Sequence, residues 1–114
     1  MANLEAPAHQ QTPQLAFQRL LDVLYTLRLE CPWDKKQTME SLRHLTMEEM
    51  YELTDAILEK DYPEIKKELG DVLMHLVFYA RIAEEQGQFD IVDVLNAICD
   101  KLITRHPHIY SDIN

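Results

Sequence analysis

Apolar side chains recur at a helical period in four stretches of this chain. The first stretch holds Phe17, Leu20, Leu21, Leu24 and Leu27. Thr12-Pro13 supplies an N-cap followed by proline at the first helical position, so a helix is predicted from Pro13 to about Glu30. Cys31-Pro32-Trp33-Asp34-Lys35-Lys36-Gln37-Thr38 breaks the period, because Pro32 pushes Cys31 out of helical space. That segment reads as a loop, with Asp34 or Thr38 placed to cap a short turn. The second helix is predicted from about Ser41 to Lys60, with Leu42, Leu45, Leu53, Ala56 and Ile57 on one arc. The third starts at Asp61, where Asp61-Tyr62-Pro63-Glu64 forms a capping box with proline in the first turn, and runs to about Gln86, stopped by Gly87. Its arc is Ile65, Leu69, Val72, Leu73, Leu76 and Ala80. The fourth opens at Phe89-Asp90, with Asp90 and Asp93 as a capping pair, carries Ile91, Val94, Leu95, Ile98, Leu102 and Ile103, and ends at Pro107. The pattern predicts an all-α fold: four helices, mostly antiparallel, in a bundle-like domain over residues 13–108 that is completed by dimerisation. Residues 1–12, small and polar, read as a disordered tail, and residues 109–114 as a C-terminal tail.

Composition narrows the function classes. A chain of 114 residues with 46% hydrophobic side chains suits one small domain with a core rather than a disordered segment. Its two glycines both fall near helix positions, against a turn-rich β architecture. No apolar run approaches a membrane span, and no basic, apolar leader opens the chain. Cys31 and Cys99 lack metal spacing and are too few for a disulfide framework, so reduced thiols in a cytoplasm are expected. The net charge of −9 argues against direct nucleic-acid binding. The same charge repels a phosphorylated small molecule unless cations are recruited locally. Acidic composition and a polyphosphate ligand are compatible through a metal.

The candidate chemistry sits between Glu48 and Asp71. Glu49 and Glu52 are three apart before the break at Asp61-Tyr62-Pro63, and Glu68 and Asp71 are three apart after it. Three apart on a helix means one face. With Asp61 as the turn, Glu52 and Glu68 lie roughly 13 and 10 Å along their helices, and Glu49 and Asp71 roughly 18 and 15 Å. An antiparallel hairpin therefore sets the two pairs nearly level. Glu49 falls inside the apolar arc and Glu52 at its edge, while Glu68, Asp71 and His75 form a strip beside the apolar arc of the third helix. Ionised carboxylates facing a core repel one another and are costly unless compensated. A hard dication held by oxygen ligands, Mg²⁺ or Mn²⁺, resolves both costs. A solvated acidic face is the plain alternative.

Three further positions stand out. Trp33 is the lone tryptophan, read as a core plug or as a stacking platform for a base. Gly70 lies between Glu68 and Asp71, which points to a close approach by backbone or ligand, or to tight helix packing. Lys101 and Arg105, four apart, share a face: cations suited to the dipole of a last turn, or phosphate ligands.

Cys31-Pro-Trp-Asp34 with Gln37-Thr38, Glu48-Glu49-x-x-Glu52, Glu68-x-x-Asp71 and Lys101-Leu-Ile-Thr-Arg105-His-Pro-His108, in this order, resemble MazG-type nucleoside triphosphate pyrophosphohydrolases. The likeness covers roughly residues 15–110. It implies an all-α fold that assembles as a homodimer or higher homo-oligomer. It also implies Mg²⁺-dependent hydrolysis of nucleoside triphosphates, including noncanonical ones, to the monophosphate and pyrophosphate. Carried over by motif, Glu49, Glu52, Glu68 and Asp71 are the metal ligands, and Glu48 is a supporting carboxylate that, like Glu49, serves catalysis. Lys101 and Arg105 bind phosphate, with Trp33 and Asp34 near the substrate. Family members commonly continue past the His-Pro-His segment into a second related domain, so a domain-sized piece of a longer protein is expected here. Two other classes compete. A di-iron carboxylate bundle needs Glu-x-x-His pairs, and none occurs. A non-catalytic helical interaction domain, its acidic face meeting a basic partner, is the other.

Overall fold

The computed structural model describes residues 6–110; the remainder of both predicted tails lies outside the described residues. Among the described residues there are six helices and no strand. They are α1 (Pro13–Glu30), α2 (Pro32–Lys36), α3 (Met39–Glu59), α4 (Tyr62–Glu85), α5 (Ile91–Arg105) and α6 (Pro107–Tyr110). The four long helices are those read from the period, and the two short ones are additions. The chain divides into two compact units at Tyr79/Ala80.

Local chemistry accounts for the helix ends. The Thr12 hydroxyl accepts from Leu15 N–H, with Pro13 at the first helical position. Thr38 and Ser41 exchange side-chain and backbone bonds as a capping box for α3. Lys60 closes α3 in the left-handed conformation, at φ 56°, and Asp61 N–H reaches back to the Ala56 carbonyl. The Asp61 carboxylate accepts from Glu64 N–H and starts α4 one residue later. Gly87, at φ 70°, releases the chain after α4, and Asp90 with Asp93 caps α5 reciprocally.

In the first unit the core gathers Leu24, Leu42, Leu53, Ala56, Val77 and Phe78. The segment expected as a loop is the short helix α2, and Arg28 explains why it holds. One guanidinium nitrogen donates to the carbonyls of Asp34, Lys35 and Gln37 at 2.6, 3.3 and 2.9 Å. A cation thus satisfies the C-terminal carbonyls of α2 while lying 5.5 Å from the Phe78 ring centre. Trp33 is not a core plug: it is 54% exposed, and Asp34 beside it is the buried member of the segment.

α3 and the first part of α4 form an antiparallel hairpin around Lys60-Asp61, shown by the contacts of Thr46 with His75 and Tyr79. The face α4 turns inward differs from the apolar arc of the sequence. Glu68 and His75 are buried, whereas Leu69, Leu73 and Leu76 are exposed. The polar strip expected beside the packed face is itself the packed face. A Cβ placed on Gly70 would meet nothing within 4 Å, so tight packing inside the chain does not account for that glycine.

In the second unit Ala80, Ile82 and Ala83 are buried on the last turns of α4. Val92, Val94, Leu95, Ile98, Leu102 and Ile103 of α5 are exposed.

Candidate metal centre

The hairpin brings Glu49 of α3 against Glu68 and Asp71 of α4. One carboxylate oxygen from each lies within 4.8 Å of the other two. Glu68 is 2% exposed, and Glu49 and Asp71 are half-buried. Glu49 Oε2 and Glu68 Oε1 are sealed from solvent without a hydrogen-bond partner. Buried oxygens of adjacent carboxylates need a proton or a cation between them.

The proton affinities show that strain. The Glu49 carboxyl is pushed from an ordinary 4.5 to about 7, first by burial, then by contact with Glu68 and by the charges of Asp71, Glu52 and Glu68. Glu68 is held below the usual range first by its side-chain contact with Glu64, with Glu49 and Lys67 adding to the effect, against the opposing effect of burial. Glu64 is raised, chiefly by that same contact. Within the cluster Glu49 is therefore the carboxyl that holds a proton most readily. Lys67 is raised by its contact with Glu68, then by the charge of Glu64.

The donor set fits a hard dication. It is all oxygen and carries three formal negative charges. Ligand oxygens around Mg²⁺ at about 2.1 Å stand roughly 3.0 Å apart when adjacent and 4.2 Å when opposite. The three cluster oxygens, all within 4.8 Å of one another, lie near this spacing.

The other sequence candidates fall as follows. Glu52 is exposed and lines an open pocket of about 390 Å³ together with Asp55, Glu64, Lys67 and Glu68. Glu48 is exposed on the same helix. Trp33 and Asp34 belong to α2 in the first unit. Lys101 and Arg105 are exposed on α5, in the second unit.

Two features had no motif to announce them. The Thr46 hydroxyl stands 2.6 Å from His75 Nδ1, contacts the Tyr79 hydroxyl, and donates to the Leu42 carbonyl at 3.2 Å. Its one proton and two lone pairs satisfy all three partners when His75 and Tyr79 donate. His75 is 6% exposed, and burial lowers its proton affinity, with Asp71 opposing. The signal was the four-residue spacing of Asp71, His75 and Tyr79. The second is Lys67, which follows Glu64 by three and precedes Asp71 by four.

The chain is similar to known proteins in sequence and in structure. The sequence profile of the MazG nucleotide pyrophosphohydrolase domain matches residues 37–110. Over 97 residues the chain is 47% identical to the nucleoside triphosphate pyrophosphohydrolase of Escherichia coli K12, covering 82% of this chain and 37% of that protein. Over 100 residues it is 48% identical to the nucleoside triphosphate pyrophosphohydrolase/pyrophosphatase MazG of Thermotoga maritima, covering 86% and 39%. The chain thus spans less than two-fifths of the length of these relatives. In structure it is similar to a mazG-related protein from Thermotoga maritima, with a TM-score of 0.73, 24% identity, and 85% of each chain covered. That likeness supports the all-α fold.

Proposed function

The chain belongs to the MazG nucleotide pyrophosphohydrolase domain family, and on that premise we propose that it hydrolyses nucleoside triphosphates to the monophosphate and pyrophosphate with Mg²⁺, Mn²⁺ substituting. The observation that carries the reading is the pair of sealed, unpartnered oxygens, Glu49 Oε2 and Glu68 Oε1, facing a shared cluster with Asp71. These three residues would hold the metal, with Glu52 completing the set. A bound dication supplies charge neutralisation for the triphosphate and acidifies water. Glu48 and Glu49 are the carboxylates assigned to take the proton of the attacking water. Lys101 and Arg105 are assigned to the phosphates, where a fixed cation stabilises charge developing on the leaving pyrophosphate. Trp33, its ring exposed, and Asp34 are assigned to the substrate side.

Noncanonical nucleotides are the proposed physiological substrates, a house-cleaning role in the cytoplasm. None of the described helices is long and apolar enough to cross a membrane. The exposed Leu69, Leu73 and Leu76 of α4 support a homodimer or higher homo-oligomer, because a second copy would cover them. The test is pyrophosphate release from a panel of normal and damaged nucleoside triphosphates, with Mg²⁺ and with EDTA. Metal-dependent release of pyrophosphate and monophosphate is expected. Metal binding without turnover of any nucleotide would instead make the chain a helical interaction domain.

A further inference from the structure

Lys67 is ringed by carboxylates on one helix. Its Nζ stands 3.5 Å from Glu64 Oε2, 3.3 Å from Glu68 Oε2 and 3.7 Å from Asp71 Oδ2. Glu68 and Asp71 are two of the three residues of the metal cluster. The Glu68 carboxylate is divided: Oε2 faces the ammonium, while Oε1 is sealed and bare. An exposed helical ion pair contributes little by itself. Three carboxylates around one ammonium, one of them almost wholly buried, differ from an ordinary surface pair. Of the side chains lining the adjoining pocket, that of Lys67 is the one cation.

We propose that Lys67 is a built-in competitor for the metal: its ammonium and the dication share Glu68 and Asp71, so metal entry drives the side chain off both. This rests on the metal-dependent reading above. The physical ground is like charge. A dication drawn to the Glu68 and Asp71 carboxylates stands close to the lysine and takes over the negative charge that holds it there. The consequence is a site that discriminates against bare metal.

Calorimetric titration of the full chain with Mn²⁺ alone reads this competition without turnover. Lys67→Met should bind Mn²⁺ about fivefold more tightly than wild type, from removing one charge roughly 5 Å from a dication in screened solvent. Lys67→Arg should bind like wild type. Lys66→Met, which deletes the same charge one residue away, should change the affinity by less than about twofold. Thermal melts give a second readout: Lys67→Met should melt below wild type in EDTA, and saturating Mn²⁺ should erase that deficit. Unchanged or weaker binding by Lys67→Met, equal tightening by Lys66→Met, or a deficit that persists in Mn²⁺ overturns the proposal and leaves the metal site standing. No Mn²⁺ binding by wild type overturns the metal-dependent reading and the competition with it.

Discussion

Replacing Glu49 with Gln should stabilise the metal-free protein and remove its response to metal. The Glu49 carboxyl is raised from 4.5 to about 7 in the folded protein, so the native state holds this proton more tightly than the unfolded chain. Stability therefore falls as pH rises from 4.5 through about 7, and the whole penalty is present above that range. At face value the gap corresponds to about 3 kcal/mol. Glu49 is only half-buried, and with solvent screening about 1 kcal/mol is the part expected to survive. Glu49→Gln keeps the shape and deletes the charge. At pH 8 in EDTA it should melt about 4 °C above wild type by circular dichroism, and near pH 5 the two should converge. With Mn²⁺ at a hundredfold excess over its Kd, wild type should gain about 2.7 kcal/mol and the variant far less. A variant that melts below wild type at pH 8 in EDTA would show that Glu49 gains from its neighbours. A full Mn²⁺ response in the variant would remove Glu49 from the ligand set.

Mn²⁺ affinity should fall as pH drops through about 7, because the metal has to displace the Glu49 proton; titrations at pH 6 in buffers of different ionisation heat should show about one proton released. Arg28→Met should cost about 2 kcal/mol in urea denaturation, since the carbonyls of Asp34, Lys35 and Gln37 lose their shared donor; an unchanged midpoint would dismiss that anchor. Gly70→Ala should stabilise the isolated chain by about 1 kcal/mol, because an added Cβ meets open space in an exposed helix interior. If the same change weakens self-association in sedimentation, a second copy approaches α4 at that point.

Helix ends were legible in the sequence because their causes are local. Thr12-Pro13, Thr38, Asp61, Gly87 and the Asp90–Asp93 pair act within a few residues of themselves, and each does so in the structure. The approach of Glu49 to Glu68 and Asp71 was also legible, since a tight turn and a constant rise per residue bring the two pairs together, whereas Glu52, expected level with Glu68, is exposed beside the pocket. The inward face of α4 was not. Hydropathy ranks Leu69, Leu73 and Leu76 as the buried set, yet α3 packs on the strip of Glu68 and His75, and only knowledge of the partner helix reveals that choice. Trp33 as a core plug failed for a related reason: its direction depends on α2, and α2 depends on three carbonyl contacts to Arg28 of the preceding helix. For Lys101 and Arg105, spacing assigns a shared helix face and goes no further.

The proposed function places a hard dication among Glu49, Glu68 and Asp71. An anomalous difference map from crystals grown with Mn²⁺ tests it most directly. A peak is expected about 2.1–2.2 Å from carboxylate oxygens of all three residues, with Glu68 Oε1 no longer bare. Well-ordered carboxylates with no peak between them at saturating Mn²⁺, or a peak held elsewhere, would contradict it.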